Sequence, residues 1–344
     1  MKAAVFSEPG ALLELADVAD PRPGPNDLVI KVNACGICGS DLHASDQHSR
    51  GRLPKGTIMG HEFAGEVYEV GAAIKDQWRV GDRLCALPYI ACGHCQNCLN
   101  GKGFRCAHNR ATGLGDIPGA YAEYVRVGAF ESIRLPDGVS DHEGATVEPL
   151  AVALHAVKQA NLKIGDSVLI LGAGPIGLAL TQWCRFFGVK DIIVSEKAKG
   201  RLEMAAKFGA TDCIDSTKDS PQARFQQITG RLPDIVFEAV GVPGMIQESI
   251  SLVRTEGKVV VVGVCMQQDQ FFPTTAILKE IQLQFVLAYH KQDFEFTVAM
   301  LEQGRLFSAP MITDVVNLNE LPSAFEALRT PESQCKIIVE PSAS

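Results

Sequence analysis

Four cysteines crowd into one short stretch, Cys92, Cys95, Cys98 and Cys106, with the spacing C-x2-C-x2-C-x7-C. Four thiolates so spaced can close a tetrahedral shell around zinc and leave no position for water, the mark of a structural site. Gly93, Asn97, Asn100, Gly101 and Gly103 between them suit the tight turns of a metal knuckle. Metal there would order a segment with little apolar content of its own. A redox dithiol is the competing reading, and His94 reads as a solvated loop residue.

A second set of ligand types is scattered. Cys38 lies in Gly36-Ile37-Cys38-Gly39-Ser40-Asp41-Leu42-His43, His61 and Glu62 follow Gly60, and Glu148 precedes Pro149. One thiolate, one imidazole and one carboxylate would form an open zinc site, with the fourth position free for water or substrate. Spacing alone does not assemble these residues, and taken singly each reads as structural.

A third motif binds nucleotide. Val168 to Leu171 runs into Gly172-Ala173-Gly174-Pro175-Ile176-Gly177, a strand, a G-x-G-x-x-G turn and a helix start. Gly172 permits the tight turn, Gly174 admits a pyrophosphate, and Gly177 lets helix pack closely on strand. The helix N-terminus offers unpaired N–H groups to the phosphates. Glu196 ends the next strand roughly 20 residues on, where a carboxylate accepts from ribose hydroxyls and repels a 2′-phosphate. NAD is therefore expected over NADP, with Arg201 close enough to soften that preference.

These groups need two kinds of scaffold. Up to about residue 150 the chain reads as short strands broken by turns, among them Leu28 to Ala34, Phe63 to Gly71, Val80 to Leu84 and Ala122 to Val127. That pattern suggests a β-rich barrel. Beyond it apolar strands alternate with helices: helix Pro149 to Leu162, strand Ser167 to Leu171, helix Gly177 to Phe187, strand Asp191 to Ser195, helix Gly200 to Phe208, then strands at Asp234 and Lys258. The alternation implies an α/β fold with a parallel sheet covered on both faces. A helical stretch at Phe294 to Glu302 and a strand at Cys335 to Glu340 follow.

Across essentially its whole length the chain resembles the zinc-containing medium-chain dehydrogenase/reductase superfamily, with the pattern of its sorbitol, threonine and 2,3-butanediol branch. The resemblance rests on Cys38 to His43, Met59-Gly60-His61-Glu62-Phe63-Ala64-Gly65, Val80-Gly81-Asp82-Arg83, the four-cysteine lobe, and Val147 to His155. It implies a GroES-like catalytic domain over 1–150, a Rossmann domain over 151–288, and a segment 289–344 that returns to the catalytic domain. It makes Cys38 and His61 catalytic zinc ligands, with Glu62 and Glu148 both candidates for the metal and exchange between them as substrate enters. Two zinc ions per chain follow.

Ser40 and His43 correspond to the family's proton relay, which runs through a ribose hydroxyl; Asp41 braces the loop. Ile176, Val262-Gly263-Val264 and Leu287-Ala288 are implied cofactor contacts. One departure is visible, Gly119-Ala120-Tyr121 where relatives often carry two glycines.

The expected reaction is oxidation of the secondary hydroxyl of a small diol, polyol or simple alcohol to a ketone. L-threonine is the alternative substrate, and it would need a cation for its carboxylate that the sequence does not single out. A non-catalytic zinc-binding interaction protein is the reading of another class; the second ligand set and the acidic charge oppose it. Zinc-free quinone reductases lack both the lobe and the Cys38/His61 pair.

Composition agrees. Hydrophobic residues make up 46% and charged residues 21%, as in ordinary globular chains. The net charge of -8, with no basic run, opposes nucleic-acid binding. No apolar stretch reaches the ~20 residues of a membrane span or forms a signal peptide, so a soluble, cytoplasmic enzyme is expected. Eleven cysteines, clustered as they are, read as metal binding in a reducing compartment. Isolated Cys184, Cys213, Cys265 and Cys335 read as plain thiols. A homo-oligomer, dimer or tetramer, is expected from the resemblance, with Val259 to Val262 on the side that relatives use.

Overall fold

The computed structural model describes residues 1–47, 53–331 and 333–343. The chain divides into two compact units, Met1–Glu148 with Tyr289–Ser344, and Pro149–Ala288.

The first unit opens with β1 (Lys2–Val5), β2 (Glu14–Asp17), β3 (Asp27–Gly36), β4 (Glu62–Val70), β5 (Arg83–Ala86), β6 (Tyr89–Ile90), β7 (Arg110–Ala111), β8 (Tyr124–Gly128) and β9 (Ser132–Arg134). Helices α1 (Gly39–Ala44), α2 (Gln96–Leu99) and α3 (Asp141–Ala145) interrupt or follow them, and α4 (Val147–Ala160) begins at its end. The second unit holds β10 (Ser167–Leu171), α5 (Pro175–Phe186), β11 (Asp191–Glu196), α6 (Lys199–Lys207), β12 (Asp212–Asp215), α7 (Pro221–Thr229), β13 (Ile235–Glu238), α8 (Met245–Leu252), β14 (Lys258–Val261), α9 (Pro273–Leu278) and β15 (Gln282–Phe285). The chain then returns to the first unit with α10 (Lys291–Glu302), β16 (Ile312–Asn317), α11 (Leu321–Ala327) and β17 (Lys336–Glu340).

In the first unit a seven-stranded sheet runs β16-β17-β3-β4-β5-β9, with β8 also paired to β3. β3 is the hinge of this layout because nearly all of it is buried, so its sequence shows no clean alternation. Leu28, Ile30, Val32, Phe63, Val67 and Tyr121 share its core. Each such side chain contributes about 1.5–3 kcal/mol on full burial. The registers decide what the sheet brings together. Gly36 at the end of β3 pairs Glu62 at the start of β4, and Ile338 of β17 also pairs Gly36. The strand expected at Val80 begins instead at Arg83, because Gly81 sits at φ 94 in the turn before it.

The second unit is a six-stranded parallel sheet ordered β12-β11-β10-β13-β14-β15. The order reverses between β10 and β13, which is where doubly wound sheets bind ligand. Leu169, Ile193, Phe225, Val236 and Val259 form its core. Trp183 on α5 is fully buried and donates its indole N–H to the Leu150 carbonyl at 2.8 Å. β14, which carries Val259, lies inside the sheet, whose edge strands are β12 and β15. Among the described residues, no helix is long and apolar enough to cross a membrane.

Gly65 shows how tightly β3 and β4 meet, since a Cβ there would overlap the Lys31 carbonyl oxygen. Gly65→Ala should lower stability by about 3 kcal/mol, the upper end of overpacking costs. Gly138→Ala, with nothing within 4 Å of its built Cβ, serves as the control. Equal urea midpoints for the two variants would refute this account of the sheet.

Candidate active site

The β3–β4 register sets the site. Cys38 lies just past the end of β3 as the N-cap residue of α1, with extended backbone at φ -101 and ψ 146. His61 directly precedes Glu62, the first residue of β4. Donor atoms of Cys38, His61 and Glu62 lie within 4.8 Å of one another, and His61 and Glu62 are buried. Glu148 falls outside this three-donor group, although its carboxyl feels both Glu62 and His61.

His61 and Glu62 are held from behind. The Asp41 carboxylate receives His61 Nδ1 at 3.1 Å and the Tyr121 hydroxyl at 2.7 Å. Asp41 is wholly buried, so this bond fixes the ring and leaves Nε2 toward the other donors. Burial opposes charge on His61, yet the Asp41 carboxylate and the Cys38 sulfur hold its pKa well above the usual value. Lys336, the first residue of β17, donates to Glu62 Oε2 at 2.6 Å and to the Ile37 carbonyl at 2.9 Å. Both members of this ion pair are about 1–2% exposed. Burial works against the Lys336 ammonium, and Glu62 more than restores it, raising its pKa. Tyr289 donates to Glu148 Oε1 at 3.0 Å. Burial pushes the Glu148 carboxyl up to about 7.

Ser40, on α1, sits among the donors. Its hydroxyl is 3.2 Å from Cys38 Sγ and 3.3 Å from His61 Nε2. His43 lies one helical turn on and is half-buried, with no direct hydrogen bond to Ser40. Its burial lowers its pKa.

The four-cysteine lobe closes as a compact knot. Ligand atoms of Cys92, Cys95, Cys98 and Cys106 lie within 4.8 Å of one another, with Cys95–Cys98 sulfurs 3.5 Å apart and Cys92–Cys98 sulfurs 3.9 Å apart. Zinc–sulfur bonds near 2.3 Å in a tetrahedron require sulfur separations of about 3.8 Å, so the donors fit zinc. Backbone N–H groups of His94 and Cys95 lower the Cys92 thiol to about 6, toward the thiolate that a metal needs. His94 Nδ1 bonds the Cys92 carbonyl instead of joining the cluster.

In the second unit Gly172 takes φ 94, and Gly174 is the N-cap residue of α5 with Pro175 at the first position. A Cβ on Gly177 would overlap the Gly172 carbonyl, so close strand–helix packing needs glycine there. Glu196 Oε2 accepts from Ala173 N–H at 2.9 Å, and Oε1 accepts from Lys197 and Ala198 N–H. Three of about four lone-pair positions are thus used, leaving Oε2 one for a hydroxyl. The Arg201 guanidinium reaches within 4.0 Å of a Cβ built on Gly174. Val262 and Gly263 donate to the Glu238 carbonyl, and Gly241 packs on the Gly263–Val264 backbone at the strand ends. Ile176 is half-buried, Val264 and Leu287 are exposed, and Ala288 takes φ 54.

Sequence reasoning missed Lys336, Tyr289 and Tyr121, and assigned Asp41 to its loop instead of to His61. A lysine opening the apolar run Ile337-Ile338-Val339 was a readable signal. Nothing local marked Tyr289.

The alcohol dehydrogenase GroES-like domain family matches residues 24–137, and the zinc-binding dehydrogenase family matches residues 175–303. L-threonine 3-dehydrogenase of Aeromonas hydrophila is 33% identical over 325 residues, 93% of each chain. The crystal structure of 2R,3R-butanediol dehydrogenase from Bacillus subtilis is 31% identical with a TM-score of 0.87, covering 99% of both chains. A Sinorhizobium meliloti protein described as a zinc-binding dehydrogenase, solved bound to NADP, is 30% identical with a TM-score of 0.86 and the same coverage. Two ligand clusters of zinc geometry, a dinucleotide turn and these matches together make the chain a member of the zinc-containing medium-chain dehydrogenase/reductase superfamily, oxidoreductases that act on CH–OH groups.

Proposed function

We propose that this enzyme oxidises the secondary hydroxyl of a small neutral diol or polyol to a ketone, with NAD as hydride acceptor. The observation that carries the reading is the buried Cys38/His61/Glu62 donor group beside a serine hydroxyl. Zinc held there would act as a Lewis acid and lower the pKa of a bound hydroxyl. Asp41 keeps His61 in the tautomer that offers Nε2. Ser40 Oγ stands beside that position and is the first proton acceptor. His43, kept neutral at physiological pH by its burial, is the next. Glu148, whose carboxyl takes the Tyr289 hydroxyl, would hold a hydroxyl or water beside a metal bound there. Cys92, Cys95, Cys98 and Cys106 would hold a second, structural zinc.

Among the described residues, two cations close to these elements are already engaged, which favours neutral substrates. Lys336 is paired with Glu62, and Arg329 binds the Leu42 carbonyl, Ser45 and Glu326. L-threonine is the second reading, favoured by the threonine dehydrogenase among the relatives. NAD is favoured by the Glu196 acceptor, while Arg201 beside the glycine turn leaves room for NADP.

Metal analysis should find two zinc atoms per chain. Cys38→Ser should lose one of them and all turnover with an unchanged circular-dichroism spectrum, whereas Cys98→Ser should chiefly lower Tm; a single zinc in the wild type defeats the catalytic assignment. Nicotinamide reduction over a panel of diols, polyols, simple alcohols and L-threonine should give the highest kcat/KM to a neutral diol or polyol. Faster turnover of L-threonine would reverse the substrate ranking. Glu196→Gln should raise the NADP/NAD ratio of kcat/KM about tenfold, the worth of one charge-assisted hydrogen bond. An unmoved ratio would show that Glu196 does not select the cofactor.

A further inference from the structure

Three consecutive residues after Tyr289 dock on the four-cysteine lobe. The His290 ring stacks on Phe104, with centroids 6.3 Å apart and planes at 21°. Lys291 N–H donates to the Gly101 carbonyl at 2.9 Å. The Gln292 carboxamide lies against Gly101, which takes φ 72 and has no room for a Cβ. His290 N–H is also capped by the buried Asp293 carboxylate at 2.9 Å, which fixes the first turn of α10. Tyr289 itself is 1% exposed and packs on Phe294 of the same helix, 5.3 Å between centroids. The residue before it, Ala288, is held in the left-handed region at φ 54, a conformation that an alanine adopts only when its surroundings enforce it.

We propose that Tyr289 is a positioning residue for Glu148, and that the four-cysteine lobe sets its position by clamping the start of α10. The lobe then fixes where the Tyr289 hydroxyl meets Glu148 Oε1, in addition to stabilising its own loop. The inference rests on the proposed role of Glu148 at the open metal position. Its physical basis is a continuous run of contacts from the lobe backbone to the carboxylate.

A double-mutant cycle on the zinc-loaded enzyme tests it. Tyr289→Phe removes only the hydroxyl, and kcat should fall about tenfold, the scale of a lost supporting bond at a metal site. KM for NAD should stay unchanged. Phe104→Ala should lower kcat severalfold in the wild type and add nothing in the Tyr289→Phe background, because both act through one hydroxyl. With cobalt in place of zinc, Tyr289→Phe and Phe104→Ala should each shift the visible absorption of the Cys38 site. Multiplicative effects on kcat, or an unmoved cobalt spectrum in both variants, would overturn the proposal. A wild type with no catalytic zinc or no alcohol turnover would instead refute the proposed function, so the two failures are distinguishable.

Discussion

A buried ammonium and a buried carboxylate, Lys336 and Glu62, meet at the junction of three strands. Removing such a pair from water is expensive, and deleting one partner typically costs about 3–5 kcal/mol because the other charge is stranded. The pair is tolerable here because Lys336 also reaches the Ile37 carbonyl just past β3. One side chain therefore ties β17 to the exit of β3 and the entry of β4, the two places that supply Cys38 and His61. The charges also balance: a divalent ion among Cys38, Glu62, Asp41 and Lys336 leaves no formal net charge in the centre. Without the lysine the site would be too negative, and without a metal the thiol is driven up by its burial.

The same principle recurs one layer out. Asp41 is wholly buried and takes both the His61 ring and the Tyr121 hydroxyl. Glu148 has Tyr289. His61, Glu62 and Glu148 thus each have a partner behind them, which reduces the ordering entropy left to be lost on binding.

Local patterns were legible in the sequence where local geometry decides. The four cysteines lie within one loop, and the glycine turn is confined to a single strand–helix junction, so spacing carried their chemistry. Glu62 and Glu148 could not be ranked, because both are acids near a glycine or proline and only the β3–β4 register separates them. Lys336 and Tyr289 were invisible for the same reason: their partners lie 274 and 141 residues away. Helix starts slipped too. α10 begins at Lys291, ahead of the expected Phe294, since its cap is a histidine whose N–H is taken by Asp293, a weak signal in sequence.

The interrupted chain of the first unit has a consequence for biosynthesis. β17 can take its place between β16 and β3 only after the whole second unit has been translated. The contiguous parallel sheet can fold as soon as it emerges, whereas the Cys35–Gly36 end of β3, beyond the stretch that β8 pairs, waits on the ribosome for β17, and Glu62 waits for its cation. Loop closure across so long an insertion adds little entropy, because that cost grows only with the logarithm of length. The delay is one of time, and during it the nascent enzyme presents a strand edge that a chaperone could shield and an acid with no counter-charge.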